Sequence, residues 1–225
     1  DSDVEGRTVE IGDVNGDGDN EVVAADYGPA PVGAYPGGWV LAFDGKGDGN
    51  GNSKLLYSFY TADNKYITDI ELGDLDGSPG VEVAAITDEP MTLYAIDIDD
   101  SSQQEIWSYP IFWHSCYYGE SLAIGDVDRD YKNEVVAAGG ACVDDHSALS
   151  GVLIGRWKDC LYAFDGLDSD ADGEGDLVWS PYCVDAPITD VELGDLDGDD
   201  DADVAFGTVH GRTVYALAKV ENTAH

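Results

Sequence analysis

The chain has 225 residues, 43% of them hydrophobic, and sets 47 Asp and Glu against 10 Lys and Arg for a formal net charge of −37. That length buries a core as one domain or two small ones, and the charge repels nucleic acid and anionic membrane, which are excluded as partners. No apolar run approaches the roughly 20 residues needed to span a bilayer. No signal peptide is seen, so a chain opening on Asp1-Ser2-Asp3 is expected to be a processed form.

In chain order, the first predicted strand alternates through Val9 and Ile11 and ends at Gly12-Asp13. A nine-residue loop follows, with side-chain oxygens at Asp13, Asn15, Asp17 and Glu21 and a main-chain carbonyl at Asp19. Next come an apolar run at 22–25, a third strand at 40–43 and a fourth at 55–59. The second repeat has Ile70 and Leu72, then Gly73, then Asp74, Asp76, Ser78 and Glu82 with the carbonyl at Gly80. Its later strands read at 83–86, 93–96 and 105–108. The third repeat has Leu122 and Ile124, then Asp126, Asp128, Asp130 and Glu134 with the carbonyl at Lys132, and strands at 135–138, 161–164 and 177–180. The fourth has Val191 and Leu193, then Asp195, Asp197, Asp199 and Asp203 with the carbonyl at Asp201, and strands at 204–206 and 214–217.

Oxygens at the first, third, fifth and ninth positions plus a carbonyl at the seventh suit a hard cation, since calcium takes about six to eight oxygens at about 2.3–2.6 Å. Between the third and fourth strands of the third repeat, Asp168, Asp170, Asp172 and Asp176, with the carbonyl of Glu174, give the same spacing and a fifth predicted site. The 97–105 segment matches more loosely, and the Gly-rich 44–52 segment reads equally as a site or a solvated turn. The expected cofactor is therefore calcium, four to five ions, held for structure because such loops wrap the ion and leave little open coordination.

The signals recur about every 50–70 residues, with continuous apolar second strands that imply burial on both faces and no helical periodicity. Four antiparallel strands repeated four times predict an all-β fold, a β-propeller of four blades near 7–60, 66–109, 119–182 and 188–225 in a single domain spanning 1–225. Up-and-down connectivity puts every metal loop at one end. The last blade ends soon after 217, which predicts a short blade or one completed by a neighbouring subunit, because an unpaired edge invites another chain.

The other end carries irregular loops at 26–39, 109–118 and 139–160. Trp39, Phe112, Trp113, Tyr117 and Tyr118 there are candidates for binding a protein or glycan, against the alternative that they fill gaps between blades. Cys116, Cys142, Cys160 and Cys183 lack a C-x-x-C spacing, so two disulfides are expected, with three pairings open. Cys116–Cys142 with Cys160–Cys183 is preferred because each joins neighbouring strand ends. Disulfides and millimolar calcium coexist outside the cell, so a secreted or cell-surface location is expected.

The Gly-Asp, Asp-x-Asp-x-Asp-Gly and Val-Val-Ala pattern resembles the FG-GAP repeat, the blade unit of integrin α-chain propellers and of many secreted microbial proteins. The resemblance covers nearly the whole chain and implies a calcium-binding propeller whose activity the fold does not fix. Propellers of that family usually have more blades, so four imply a small closed propeller, a partial one or one that associates. Arg129 and Tyr131 also stand where glycines are usual. Neither a G-x-S-x-G nor a Cys–His constellation is present, and His114, His146 and His210 form no metal or triad spacing. A non-catalytic adhesion, recognition or assembly module is therefore expected. A lectin-like or polysaccharide-lyase propeller is the alternative, weakened because Arg156, Lys158 and Arg212 are few and scattered.

Overall fold

Every predicted repeat begins with alternating apolar residues, and each of these segments is an inner strand in the computed structural model. The model describes residues 8–28, 37–61, 65–88, 91–98, 104–112, 121–144, 155–179, 181–199, 201–209 and 212–217. Among these residues there are fifteen strands and no helix, and so no helix long and apolar enough to cross a membrane.

The strands form four antiparallel sheets, each in chain order. The first holds β1 (Thr8–Gly12), β2 (Glu21–Gly28), β3 (Gly37–Asp44) and β4 (Lys54–Tyr60). The second holds β5 (Ile67–Gly73), β6 (Glu82–Thr87), β7 (Met91–Asp97) and β8 (Gln104–Phe112). The third holds β9 (Ser121–Gly125), β10 (Glu134–Asp144), β11 (Gly155–Asp165) and β12 (Tyr182–Val184). The fourth has three described strands, β13 (Ile188–Gly194), β14 (Asp203–Thr208) and β15 (Val214–Leu217), and the expected short last strand falls in 218–225, outside the described residues.

One register recurs in all four sheets. Ile11 faces Val22, Leu72 faces Val83, Ile124 faces Val135 and Leu193 faces Val204. The glycine closing each inner strand therefore lies opposite the ninth acid of its loop: Gly12 and Glu21, Gly73 and Glu82, Gly125 and Glu134, Gly194 and Asp203. A one-residue slip would turn the whole apolar set to the wrong face, so the shared register fixes the shared loop geometry.

The core lies between sheets in three layers. Val23, Ala25, Val40 and Ala42 of the first sheet meet Ile70, Val83, Tyr94 and Ile96 of the second. The second meets the third through Ile86, Leu93, Trp107, Val135, Tyr162 and Phe164, and the third meets the fourth through Val136, Leu161, Trp179, Val191, Val204 and Phe206. In each layer small residues of one sheet accept larger ones of the next, which is why the second strands are rich in alanine. The inner strands follow one another, β1 beside β5, β5 beside β9 and β9 beside β13. No comparable contact joins β13 back to β1 among the described residues, so a closed ring, one of the three arrangements the repeat left open, is not seen.

One strand differs from the sequence reading. The fourth strand of the third sheet, expected at 177–180, is Tyr182–Val184. Leu177 makes only an isolated bridge to Phe164, with Val178 donating its N–H to the Ala163 carbonyl at 2.9 Å. Trp179 then turns into the core against the fourth sheet, and Pro181 has no N–H to give the ladder.

Candidate metal centres

The loops between inner and second strands are built by one hydrogen-bond relay. The first carboxylate folds the loop over itself by accepting main-chain N–H groups from the fourth to sixth positions. Asp13 accepts from Asp17 and Gly18, Asp74 from Gly77, Asp126 from Arg129 and Tyr131, and Asp195 from Gly198 and Asp199. The third-position oxygen then accepts from the fifth N–H, as Asn15 does from Asp17, Asp76 from Ser78 and Asp128 from Asp130. The fifth accepts from the seventh at Asp17, Asp130 and Asp199, whose donors are Asp19, Lys132 and Asp201. The 168–176 loop repeats each step, with Asp172 and Gly173 donating to Asp168, Asp172 to Asp170, and Glu174 to Asp172. Each bond holds a side chain in place, and in four of the five loops three carboxylates converge.

The ninth acid closes every loop by accepting the N–H of the second residue. These bonds are Val14 to Glu21 (3.3 Å), Leu75 to Glu82 (2.6 Å), Val127 to Glu134 (2.7 Å), Leu196 to Asp203 (2.8 Å) and Ser169 to Asp176 (2.9 Å). Glu21, Glu82, Glu134 and Asp203 are each only 2% exposed. Burial pushes the Glu134 carboxyl up to about 8 despite the Val127 hydrogen bond, with Asp128, Asp126 and Asp130 adding repulsion. Glu82 is pushed up to about 7 by burial and by Asp76 and Asp74, and Glu21 is raised by burial and Asp17.

Four sets of these acids are placed so that they could hold a metal ion. Asp74, Asp76 and Glu82 each bring a carboxylate oxygen within 4.8 Å of the others, as do Asp126, Asp128 and Glu134, Asp168, Asp170 and Asp176, and Asp195, Asp197 and Asp199. Buried carboxylates of like charge are costly unless paired or bound to metal. An all-oxygen donor set fits calcium or magnesium, and a flexible loop using a main-chain carbonyl favours calcium. In the first loop the third oxygen is the Asn15 amide, and Ser78 gives a hydroxyl in the second.

Main-chain handedness explains the two residues at odds with the glycine pattern. The fourth and sixth positions are left-handed at Gly16 and Gly18, at Gly173, and also at Arg129 (φ 74°), Tyr131 (φ 69°) and Ala171 (φ 59°). The third loop therefore keeps the common path at a conformational cost of about 1–2 kcal/mol per non-glycine residue. Arg129 offsets part of it with ion pairs to Asp199 (2.5 Å) and Asp201 of the fourth loop. Tyr131 is 97% exposed with no such role. Tyr131→Gly is expected to raise the melting temperature by about 2–4 °C, as for about 1 kcal/mol in a chain of this size, measured by circular dichroism in calcium.

The loops also tie sheets together. Val81 N–H donates to the Asp13 carbonyl at 3.0 Å, and the Asn133 amide to the Asp74 carbonyl at 2.9 Å. Ser108 of β8 donates to the Gly173 carbonyl at 3.1 Å, so the 168–176 loop of the third sheet rests on the second. These bonds tie each loop's conformation to an interface between sheets.

The remaining sequence candidates are placed as follows. In the 44–52 segment Asn50 and Asn52 hydrogen-bond Asp48 and hold it down at about 2, while Lys54 pairs with Asp44 and Lys46 with Asp19. This segment is bonded internally and by lysines. Part of the 97–105 segment lies outside the described residues. Trp39 is half-buried, its ring 4.8 Å from that of Tyr60. Phe112 ends β8, and Trp113, Tyr117 and Tyr118 lie outside the described residues. Cys160 and Cys183 are bridged, as partners opposite one another in β11 and β12; Cys142 lies in β10 and Cys116 outside the described residues.

Sequence reading passed over the acids of the inner strands and of β11. Asp69 accepts the Leu122 N–H of the next sheet at 2.9 Å, and Asp159 accepts that of Ile188 at 2.7 Å. Burial pushes Asp159 up to about 6, and Glu71 is raised to about 7 by burial and by Glu10, Asp69 and Glu192. The signal for Asp69 and Glu71 was the repeated Ile-Thr-Asp-x-Glu-Leu-Gly of 67–73 and 188–194; Asp159 has none of this kind. No protein-family model matches the chain, and no curated protein is similar enough to match it.

Proposed function

We propose that the protein is a non-catalytic extracellular module, a calcium-stiffened β-propeller of the FG-GAP kind whose four sheets are its blades, serving adhesion, recognition or surface assembly. The observation that carries this reading is the relay repeated in five loops, each ending on an acid that accepts the second residue's N–H. Calcium bound by Asp13, Asn15, Asp17, Glu21 and their equivalents would supply charge neutralisation and fix the loops that join adjacent blades. Wrapped ions leave little room for substrate, which favours a structural use of the metal. The Cys160–Cys183 bridge and the acidic surface suit an oxidising, calcium-rich medium.

Two measurements test this. Millimolar calcium is expected to raise the melting temperature well above the same concentration of magnesium, because magnesium demands near-ideal octahedral geometry and gives up its water reluctantly. An equal effect of both ions, or none, contradicts the calcium assignment. A glycan array run in calcium, with an assay for cleavage of acidic polysaccharides, is expected to be silent; saturable binding or cleavage would replace the assembly reading by the polysaccharide one.

A further inference from the structure

We infer that the outward faces of the first and fourth sheets are the two halves of a head-to-tail interface, filled by a second copy of this chain. The inference rests on the assembly reading above and names its partner.

Inside the chain the same interface is built three times. The aliphatic residue three before each inner-strand glycine packs against the preceding sheet: Ile70 is 1% exposed, Leu122 3% and Val191 2%. Val9, the equivalent residue of the first sheet, is 58% exposed. On the opposite face Val40, Leu93 and Leu161 are at most 1% exposed beneath the following sheet, while their equivalent in the fourth, Val214, is 78% exposed. Nothing else in these strands separates the buried residues from the exposed ones, which share side-chain type and register. The difference is the neighbour.

The two open faces also match each other in detail. At each internal interface a glycine seats an aliphatic side chain of the next sheet. A Cβ on Gly12 would stand 2.9 Å from Leu72 Cδ1, one on Gly73 would strike Ile124, and one on Gly125 would stand 3.0 Å from Leu193 Cδ1. Gly194 has the same place in the fourth sheet and nothing within 4 Å, and Ile11, the equivalent of Leu72, Ile124 and Leu193, is 67% exposed. One end of the molecule thus offers a seat without a side chain, and the other a side chain without a seat. Polar groups follow the same order. Asp69 accepts the Leu122 N–H of the next sheet, and Ser121 accepts that of Val191 at 3.3 Å. Asp190 stands exposed at the equivalent place; one carboxylate oxygen accepts the Ser121 hydroxyl at 3.3 Å, and the other faces the place of the Val9 N–H of another copy. Val22, Ala24, Leu41 and Phe43 are half-exposed on the first sheet, and on the fourth the small residues Ala205 and Gly207 are half-exposed and Ala216 exposed. This is the same large-on-small pairing that fills the three internal layers.

Such a contact is heterologous, because different surfaces meet. Two copies closing on each other give a ring of eight sheets, within the range of propellers; a rotation that fails to close gives a filament. Either is the interface inferred here.

Sedimentation in millimolar calcium tests it. The wild-type chain is expected at twice the monomer mass or more. Ile11→Asp and Val214→Asp, both at exposed positions, are each expected to run as monomers with unchanged circular dichroism. An equimolar mixture of the two is expected to form a heterodimer and nothing larger, since each supplies the face that the other has lost. A wild-type monomer at the highest soluble concentration, or variants that assemble as the wild type does, overturns the inference. So does an intramolecular disulfide in an Ile11→Cys, Gly194→Cys monomer, which would show the chain closing on itself. A monomer that calcium stabilises rejects the interface alone, whereas a chain that assembles and ignores calcium rejects the metal reading.

Discussion

Chelation is expected to cost this protein its sheets at neutral pH. A site filled at about 1,000 times its dissociation constant contributes about 4 kcal/mol, equivalent to about 8–16 °C of melting temperature in a chain of this length. Four such sites together exceed the roughly 5–15 kcal/mol by which a typical domain is stable. EDTA is therefore expected to abolish the β signal in far-ultraviolet circular dichroism, and added calcium to restore it. The cause lies in where the acids sit. Glu21, Glu82, Glu134 and Asp203 are buried in their loops, and without a cation the folded chain holds the three glutamates against the charges of other acids in their own loops.

The second expectation is an inversion of sign at Glu134. Its carboxyl is pushed up to about 8 in the folded chain, from an ordinary value of 4.5, and that of Glu82 to about 7. Between these values the metal-free folded form holds protons that the unfolded form has released. Stability without metal therefore falls as pH rises from about 4.5 to about 8, and acidification in EDTA is expected to recover β structure. With calcium the trend reverses, because protons compete with the ion for the same oxygens. Glu134→Gln keeps an acceptor for the Val127 N–H and removes the charge. In calcium it is expected to lower the melting temperature by about 8–16 °C, the worth of one site. In EDTA it is expected to shift recovery of structure to higher pH. A variant that destabilises under both conditions would make Glu134 an ordinary buried polar residue.

The acidic loops were legible in the sequence because their candidate ligands are local. Asp126, Asp128, Asp130 and Glu134 lie within nine residues, so spacing alone reports the geometry, and the four groups of converging carboxylates lie in loops read that way. Strands followed from alternation, and the Cys160–Cys183 bridge is part of the pairing preferred among the three that the sequence left open. What escaped depends on neighbours distant in the chain. Val9 and Ile70 read alike, and only the packed sheets separate an exposed residue from a buried one. The fourth strand of the third sheet was misplaced because Trp179 fits a strand pattern as well as it fits the core between sheets. Nothing near Asp159 in the chain marks it; its partner is the Ile188 N–H, 29 residues away.

The central claim is that the recurring acidic turns are filled by calcium, and counting ions tests it most directly. Metal-free protein titrated with calcium at neutral pH and weighed by native mass spectrometry is expected to take up four or five ions per chain, with magnesium displaced from the same sites. A chain that keeps its sheets while holding no calcium, or a single ion, contradicts the account.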